Sequence, residues 1–214
     1  MFFQKVLKGV PGLTNDDANV ALRAGLLCNW WRRVGTINPV QIADKLTEAN
    51  LYWHLEHYDD ADPLNGGAPF RENTPFISVT AGSVERAAFL QRNIVFDPFV
   101  TALLFATNGF RAYGHVFYAY VFTLGRQSIP LVEFAEEVRE LNIYKYYLRF
   151  HPEGEITAKI EIRGRQIERW EGYDGPAALA ALRTAATPQP AASGVNFNYE
   201  PPERYCNIRG LVTD

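Results

Sequence analysis

The sequence has little cysteine, no long apolar run and no excess of basic charge. Its two cysteines, Cys28 and Cys206, lie far apart and outside any zinc-ligand spacing, so we expect free thiols in a reducing compartment and no metal site. A membrane-spanning helix needs roughly 18 or more consecutive apolar residues, and none occur. The net charge of −3 excludes a molecule-wide attraction to nucleic acid or to an anionic membrane.

The N-terminal residues also lack the basic segment and apolar core of a cleaved Sec signal peptide. We therefore expect a soluble protein that is cytoplasmic, or that a specialised secretion system delivers to a target cell. The 214 residues, 47% hydrophobic and 14% aromatic, are sufficient to bury a core. The sequence predicts one domain over residues 1–175, helical to about residue 50, and an extension rich in proline and alanine over residues 176–214.

Two helices are predicted in the N-terminal part. Apolar residues at helical spacing predict a helix over residues 14–34, with cap chemistry at its start near Thr14. A second start signal is Asn38 followed by Pro39, and this helix extends to about Ala49. Both helices are interpreted as core scaffold.

Strand candidates follow. The short aromatic segment Leu51–Leu55 favours a strand, and the turn-rich residues 59–67 then form a loop. Further strands are predicted at Pro75–Thr80 and over residues 114–124, the latter buried on both faces. From Glu155 to Ile162, isoleucines and polar residues alternate between two faces.

Other segments complete an α+β pattern. Residues 83–90 predict a short helix, and residues 96–106 are either helical or irregular. Pro130 opens a predicted amphipathic helix to Leu141 with exposed acidic residues. A turn at residues 163–165 leads into a strand over residues 166–170, and one short helix is expected in the C-terminal extension.

Polar side chains at the ends of two of these strands suggest chemistry. Glu153 and Glu155 are two residues apart, so on a strand both carboxylates project to one side. Ser78 and Thr80 likewise share a face with Phe76. Each pair alone is ordinary for an exposed edge or a half-buried strand, and the significance lies in their combination.

In order and spacing, the segments Pro75–Thr80, Val116–Phe122 and Pro152–Glu155 resemble the mono-ADP-ribosyltransferase family of the cholera-toxin and related bacterial-toxin type. In that family an early strand carries a cofactor-binding Arg or His, a second strand carries a Ser-Thr-Ser-like motif after an aromatic residue, and a late strand carries Gln/Glu-x-Glu. The resemblance covers residues 45–175. It implies N-terminal helices followed by a split, mixed or antiparallel β-sheet core of ADP-ribosyltransferase type.

The chain departs from this family in the first motif. Leu-Tyr-Arg is typical there, whereas this sequence has Leu51-Tyr52-Trp53-His54 and no arginine between Arg33 and Arg71. The best substitute is His54, because some branches of the superfamily use a histidine to hold the adenosine-side ribose. His57 and Arg71 are competing candidates, and a lone histidine on an aromatic strand is more often a core residue.

The resemblance implies that NAD is the substrate and that the bond between nicotinamide and ribose is cleaved. This cleavage develops an oxocarbenium-like cation, which a preorganised carboxylate stabilises. We assign that role to Glu155, and to Glu153 the deprotonation or alignment of the acceptor. Ser78 would hold Glu155 in position, and Thr80 would support the floor of the pocket.

The remaining cofactor-binding candidates are Phe76 and Tyr52, which would stack on nicotinamide or fill the core. Residues 144–151 lie where the family carries its substrate-recognition loop. The expected acceptor is a macromolecule, protein favoured over nucleic acid, and Glu-x-Glu in the family often accompanies modification of arginine. A toxin-like activity would need an inhibitor or immunity protein, and no membrane partner is expected.

Two rival hypotheses come from other classes. One is a catalytically silent binding or structural module that kept the fold and lost the cofactor clamp, which the absent arginine favours. The other is a glycosidase with a carboxylate pair. Against it, Glu153 and Glu155 are neighbours on one strand, whereas hydrolases place the two carboxylates across the substrate.

Overall fold

A computed structural model describes residues 2–81, 97–124, 129–138 and 154–205. These residues form an α+β fold with six α-helices, a six-stranded antiparallel sheet and a separate pair of short strands. The described strands are β1 (Phe2–Pro11), β2 (Gly25–Leu27), β3 (Phe76–Thr80), β4 (Tyr113–Thr123), β5 (Glu155–Lys159), β6 (Glu161–Arg163), β7 (Ile167–Asp174) and β8 (Ala192–Val195). The described helices are α1 (Asn15–Ala24), α2 (Asn29–Val34), α3 (Pro39–Lys45), α4 (Glu48–Glu56), α5 (Pro98–Ala106) and α6 (Gly175–Arg183).

The main sheet has the strand order β5-β3-β1-β4-β7-β8, and β2 pairs with β6 apart from it. Strands β1 and β4 pair along their whole length, from Phe2 opposite Thr123 to Pro11 opposite Gly114. By contrast, β1 meets β3 in a single registered pair, Leu7 opposite Thr80. The two halves of the sheet are therefore joined by little more than this one pair.

Helix α5 lies directly on the backbone of β1 and β4. A side chain at Gly9 would place its Cβ 2.0 Å from the carbonyl oxygen of Ala102, and one at Gly114 would place it 1.7 Å from that of Ala106. Both distances are far inside van der Waals contact, so this approach requires glycine at both positions. Helix α5 is thereby held beside the β1–β3 junction.

The predicted strand Leu51–Leu55 is wrong, because these residues lie within helix α4. Thr47 caps that helix by accepting a hydrogen bond from the backbone N–H of Asn50 at 3.2 Å. Leu51, His54 and Leu55 then share one buried face at helical spacing. This i, i+3, i+4 pattern prevails over the strand preference of the aromatic residues.

The predicted N-terminal helices are shorter than expected. The segment 14–34 divides into α1, β2 and α2, because Gly25 adopts a φ of 103° and pairs with Arg163 in the small sheet. The second predicted helix ends at Lys45, and the Thr47 cap starts the next one. The chain also begins with β1, a strand of the main sheet, and not with a helix.

The predicted helix from Pro130 to Leu141 is wrong over residues 130–137, which are not helical. This segment runs along the edge of β5, where the backbone of Glu136 exchanges two hydrogen bonds with Thr157. The side chain of Glu136 is not exposed, because it is buried in an ion pair with Lys159. Residues 139–141 lie outside the described ranges.

Other expectations are confirmed. Strands β3, β4 and β7 and helix α6 lie where the sequence predicts strands and one short C-terminal helix. The predicted strand Glu155–Ile162 divides into β5 and β6 at Ile160, whose φ is 65°. Residues 98–106 are helical, whereas the helix predicted over residues 83–90 lies outside the described residues. Strand β8, at residues 192–195, pairs with β7 in the main sheet.

Candidate functional site

A cavity of about 280 Å³ lies at the junction of β1 and β3. Strands β1, β3 and β5 and helices α4 and α5 all contribute to its walls. Its lining residues are Leu7, Lys8, Gly9, His54, Leu55, Tyr58, Ser78, Val79, Thr80, Thr101, Ala102, Phe105 and Glu155. Polar and ionisable side chains therefore converge where the two halves of the sheet are joined by the single pair of Leu7 and Thr80.

His54 reaches this cavity from the buried face of α4. Its Nε2 lies 2.9 Å from Ser78 Oγ, and its Nδ1 lies 2.8 Å from Thr74 Oγ1. Burial, reinforced by the positive charge of Lys8, lowers the pKa of His54 to about 3. The imidazole is therefore neutral at physiological pH, with a hydrogen-bond partner on each nitrogen.

Glu155 is the first residue of β5 and lies directly opposite Thr80 of β3. Its side chain is nearly buried, and Oε1 lies 3.9 Å from His54 Nε2. Because His54 is neutral, this approach is between a carboxylate and a ring dipole and is not an ion pair. The Thr157 hydroxyl donates a long hydrogen bond of 3.5 Å to the same oxygen, Oε1.

The cation of the cavity is Lys8 on β1, which is half-buried. Burial lowers the pKa of Lys8, and the negative charge of Glu155 partly opposes that shift. Within the described ranges, no group accepts a hydrogen bond from the Lys8 ammonium or forms an ion pair with it. An anion in the cavity could accept hydrogen bonds from the Lys8 ammonium, and its negative charge would raise the pKa of Lys8.

Four of the predicted site residues come together here: His54, Ser78, Thr80 and Glu155 all line the cavity. The serine hydroxyl forms its hydrogen bond with His54, whereas the sequence interpretation gave it to Glu155. Glu153 lies outside the described residues.

Two predicted cofactor-binding residues do not line the cavity. Phe76 is buried, with its ring centroid 5.6 Å from that of His54, so it packs behind the histidine. Tyr52 is 45% exposed, and its ring contacts His57.

The two competing candidates for the first motif are engaged elsewhere. His57 Nδ1 lies 2.6 Å from Asp60, and Arg71 forms an ion pair with Asp59. Neither residue lines the cavity.

Among the lining residues that sequence reasoning missed, three matter most for binding a ligand: Lys8, Tyr58 and Phe105. Tyr58 follows His54 by four residues, but α4 ends at Glu56, so Tyr58 lies beyond the helix and no helical pattern in the sequence points to it. Phe105 is 55% exposed on α5, and its aromatic exposure is visible only in the structure. Lys8 had no detectable signal, because the strand that carries it was not predicted. The segment 144–151, expected to contact the acceptor, lies outside the described residues.

This arrangement brings a carboxylate, a neutral histidine, three serine and threonine hydroxyls and a lysine to one cavity with aromatic residues among its walls. It suits a ligand with hydroxyl groups, an anionic group and a planar ring. In the described part of the chain, no group of three or more His, Cys, Asp or Glu side chains has the geometry to hold a metal ion. Nor does any helix there combine the length and apolar character needed to cross a bilayer.

Comparison with known proteins adds little. No family model and no curated protein matches the chain. It is similar to a solved structure described as "EcPltA", with 14% sequence identity and a TM-score of 0.45, covering 93% of this chain and 87% of that one. A likeness of this strength carries no argument about fold or activity.

Proposed function

We propose that this protein is an NAD-dependent mono-ADP-ribosyltransferase that transfers ADP-ribose to a macromolecular acceptor or, without one, hydrolyses NAD. The proposal includes an ADP-ribosyltransferase type of fold. The observation that carries it is the convergence of His54, Ser78 and Glu155 on one cavity. The sequence resemblance required these three residues to meet, although they lie on a helix and two strands that are far apart in the chain.

Glu155 supplies the central chemistry in this proposal. When the bond between nicotinamide and ribose breaks, positive charge develops on the ribose ring, and a nearby carboxylate stabilises it. Burial strengthens that stabilisation, because little water screens the carboxylate. The carboxylate also accepts a hydrogen bond from a ribose hydroxyl, which orients the sugar.

In this proposal Lys8, and not His54, takes the place of the arginine that the resemblance calls for, because the His54 imidazole is neutral. It stands on β1, the first strand of the chain, and its ammonium has donors available for a phosphate oxygen. An arginine would grip a phosphate through two parallel hydrogen bonds, whereas a lysine offers a single point charge. We therefore expect NAD to bind more weakly here than to a site with arginine.

The dimensions and walls of the cavity fit part of the dinucleotide. Its volume of about 280 Å³ is near the lower end for small-molecule sites, which run from about 300 to 1,000 Å³. Tyr58 and Phe105, both partly exposed, are placed at the walls, where aromatic rings can stack on a planar base. The remainder of NAD would extend past these residues.

The biological setting proposed is that of a bacterial toxin or effector, with a protein as acceptor. An enzyme that consumes NAD and modifies proteins endangers the cell that makes it, so an inhibitor or immunity protein is part of the proposal. Co-purification of the protein from its native host tests this part separately from the chemistry.

The activity test is release of nicotinamide and transfer of label from radiolabelled NAD to proteins of a cell lysate. The wild-type protein is expected to do one or both. Glu155→Gln keeps the size of the side chain and removes its charge, and we expect it to lower the rate about 10³-fold. Glu161→Gln is the matched control, because Glu161 lies on β6, the next strand along the chain, and pairs with Arg163 outside the cavity.

The control variant is expected to keep the wild-type rate. The proposal fails if folded wild-type protein, checked by circular dichroism, gives neither nicotinamide nor labelled protein at millimolar NAD. It also fails if Glu155→Gln and Glu161→Gln lose activity equally.

A second candidate is a module that binds NAD or another ligand without turnover. The observation that favours it is the lysine at the cation position, since Lys8 lacks the planar fork of arginine. Isothermal titration with NAD separates the two candidates. Saturable binding without release of nicotinamide supports the silent module, and binding with release supports the enzyme.

A further inference from the structure

The hydrogen bonds of His54 determine which of its ring nitrogens carries the proton. A neutral imidazole has one N–H donor and one acceptor nitrogen, so its two partners must play opposite roles. Ser78 Oγ lies 2.9 Å from Nε2, and Thr74 Oγ1 lies 2.8 Å from Nδ1. Either hydroxyl can donate or accept, so the choice depends on their other contacts.

The hydroxyl of Thr74 has one other contact, and this contact decides whether the hydroxyl donates to His54 or accepts from it. The backbone N–H of Phe76 donates to Thr74 Oγ1 at 3.2 Å, so this oxygen already accepts a hydrogen bond. The hydroxyl proton of Thr74 is buried, and among the described residues the only acceptor within reach is His54 Nδ1. If Nδ1 carried the proton instead, the Thr74 O–H would be buried without an acceptor, which is unfavourable.

Glu155 favours the same tautomer. Its Oε1 lies 3.9 Å from His54 Nε2, and the two groups face one cavity. An N–H dipole pointing its positive end toward a carboxylate is attractive, whereas the lone pair of an unprotonated Nε2 would be repelled. Two separate contacts thus place the proton on Nε2.

We propose that Thr74 is a positioning residue that holds His54 as the Nε2–H tautomer. His54 then donates to Ser78 Oγ, and Ser78 keeps its own hydroxyl proton for a ligand or for Glu155. With the opposite tautomer, the serine proton would be directed at the histidine and lost to the cavity. The consequence for catalysis rests on the proposed function, but the tautomer itself does not.

The tautomer is measured by two-bond ¹H–¹⁵N correlation spectra of the histidine rings, which distinguish Nδ1–H from Nε2–H. The His54 signals are assigned by their absence in His54→Gln. We expect Nε2–H in the wild-type protein and in Thr74→Ser, and a change toward Nδ1–H or a mixture in Thr74→Val. An Nδ1–H signal in the wild-type protein, or an unchanged Nε2–H signal in Thr74→Val, overturns the proposal.

The matched control is Thr107→Val. Thr107 is also buried, and its hydroxyl also has two partners. The hydroxyl donates a hydrogen bond to the Leu103 carbonyl and accepts one from the backbone N–H of Phe110. It does not line the cavity. We expect this variant to lose stability as Thr74→Val does, and to leave the His54 tautomer unchanged.

The kinetic consequence is tested with the same variants. We expect Thr74→Val to lower kcat/KM for NAD about tenfold and Thr74→Ser and Thr107→Val to stay within about twofold of the wild-type value. If the wild-type protein does not turn over NAD, the proposed function has failed, and the ring spectra still decide the proposal about Thr74. Equal losses of kcat/KM in Thr74→Val and Thr74→Ser overturn the positioning role.

Discussion

The two ends of strand β5 carry ionisable side chains in contrasting arrangements. At its last position, Lys159 is fully buried, and its Nζ lies 2.6 Å from Glu136 and donates to the Leu131 carbonyl at 3.0 Å. At its first position, Glu155 faces a neutral His54 at 3.9 Å and the ammonium of Lys8, with no ion pair between Lys8 and the carboxylate. We call the Lys159 end closed, because its cation is in an ion pair, and the Glu155 end open, because the Lys8 ammonium there has no ion-pair partner among the described residues.

Cavity size does not distinguish these ends. A second cavity, also of about 280 Å³, lies beside Lys159 and is lined in addition by Glu161, Arg163 and Arg165. There, however, Lys159 is held by Glu136, Arg163 by Glu161 and Arg165 by Glu200. A cavity whose cations are already neutralised offers less to an anionic ligand than one with an unused ammonium, which is why we place function at the Glu155 end.

The closed pair gives the largest expected effect on stability. Lys159→Ala leaves Glu136 buried without its partner, and we expect a loss of about 3–5 kcal/mol in the free energy of unfolding. Urea denaturation followed by tryptophan fluorescence measures this loss. The activity per folded molecule should remain unchanged, because Lys159 does not line the cavity at the other end of β5.

The double variant Lys159→Met with Glu136→Leu sharpens this prediction. Replacing both charges with apolar side chains of similar size removes the desolvation cost together with the attraction, so we expect stability near that of the wild type. A double variant as unstable as Lys159→Ala would show that packing, and not the uncompensated charge, accounts for the loss.

His54 gives the next largest effect through the pH dependence of stability. Its pKa is about 3 in the folded protein and about 6.5 in an unfolded chain, so below pH 6.5 only the unfolded state takes up the proton. Stability is therefore complete above pH 6.5 and falls with pH until about pH 3. We expect His54 to contribute a loss of about 2 kcal/mol between pH 7 and pH 5.

Comparing the wild type with His54→Gln isolates this contribution. His115 is also buried and also has a lowered pKa, but it is present in both proteins and cancels from the difference. The loss of stability from pH 7 to pH 5 should be smaller in His54→Gln by about 2 kcal/mol. Parallel stability curves for the two proteins would show that His54 titrates normally and is not enclosed as the structure describes.

Much of the main sheet is predictable from local sequence. The aromatic and β-branched residues of β4 predict a buried central strand, and the structure confirms it. Strand β1 escaped prediction because Lys5 and Lys8 interrupt its apolar pattern, and its conformation is fixed by long-range pairing with β4. For residues 51–55 the error was the opposite one, because a strand was predicted where the structure has a helix. Burial of one helical face outweighed the strand preference of their aromatic residues.

The candidate site was predicted only in part, for a related reason. His54, Ser78 and Glu155 were identified by the order and spacing of short motifs. All three line the cavity, although His54 lies on a helix and not on the predicted strand. Lys8 could not be predicted as a site residue. It lines the cavity because β1 and β3 meet at the junction described above, and no local sequence pattern predicts that junction. Thr74 was visible in the sequence, but its role depends on a hydrogen bond to a residue 20 positions away.

Lys8 provides the smallest expected effect and the most direct test of why the two ends of β5 differ. Lys8→Met removes the unused ammonium, and we expect the Kd for NAD to rise about tenfold, since one point charge is lost. Lys8→Arg keeps the charge and should bind NAD at least as tightly as the wild type. Isothermal titration measures all three affinities.

The matched control for Lys8 is Lys5→Met, because Lys5 is exposed on the same strand and does not line the cavity. Lys5→Met tests whether any loss of positive charge from β1 weakens binding through the general field of the protein. Equal effects of Lys5→Met and Lys8→Met would mean that the ammonium in the cavity makes no specific contact. The open end of β5 would then resemble the closed end, with its charges serving the fold and not a ligand.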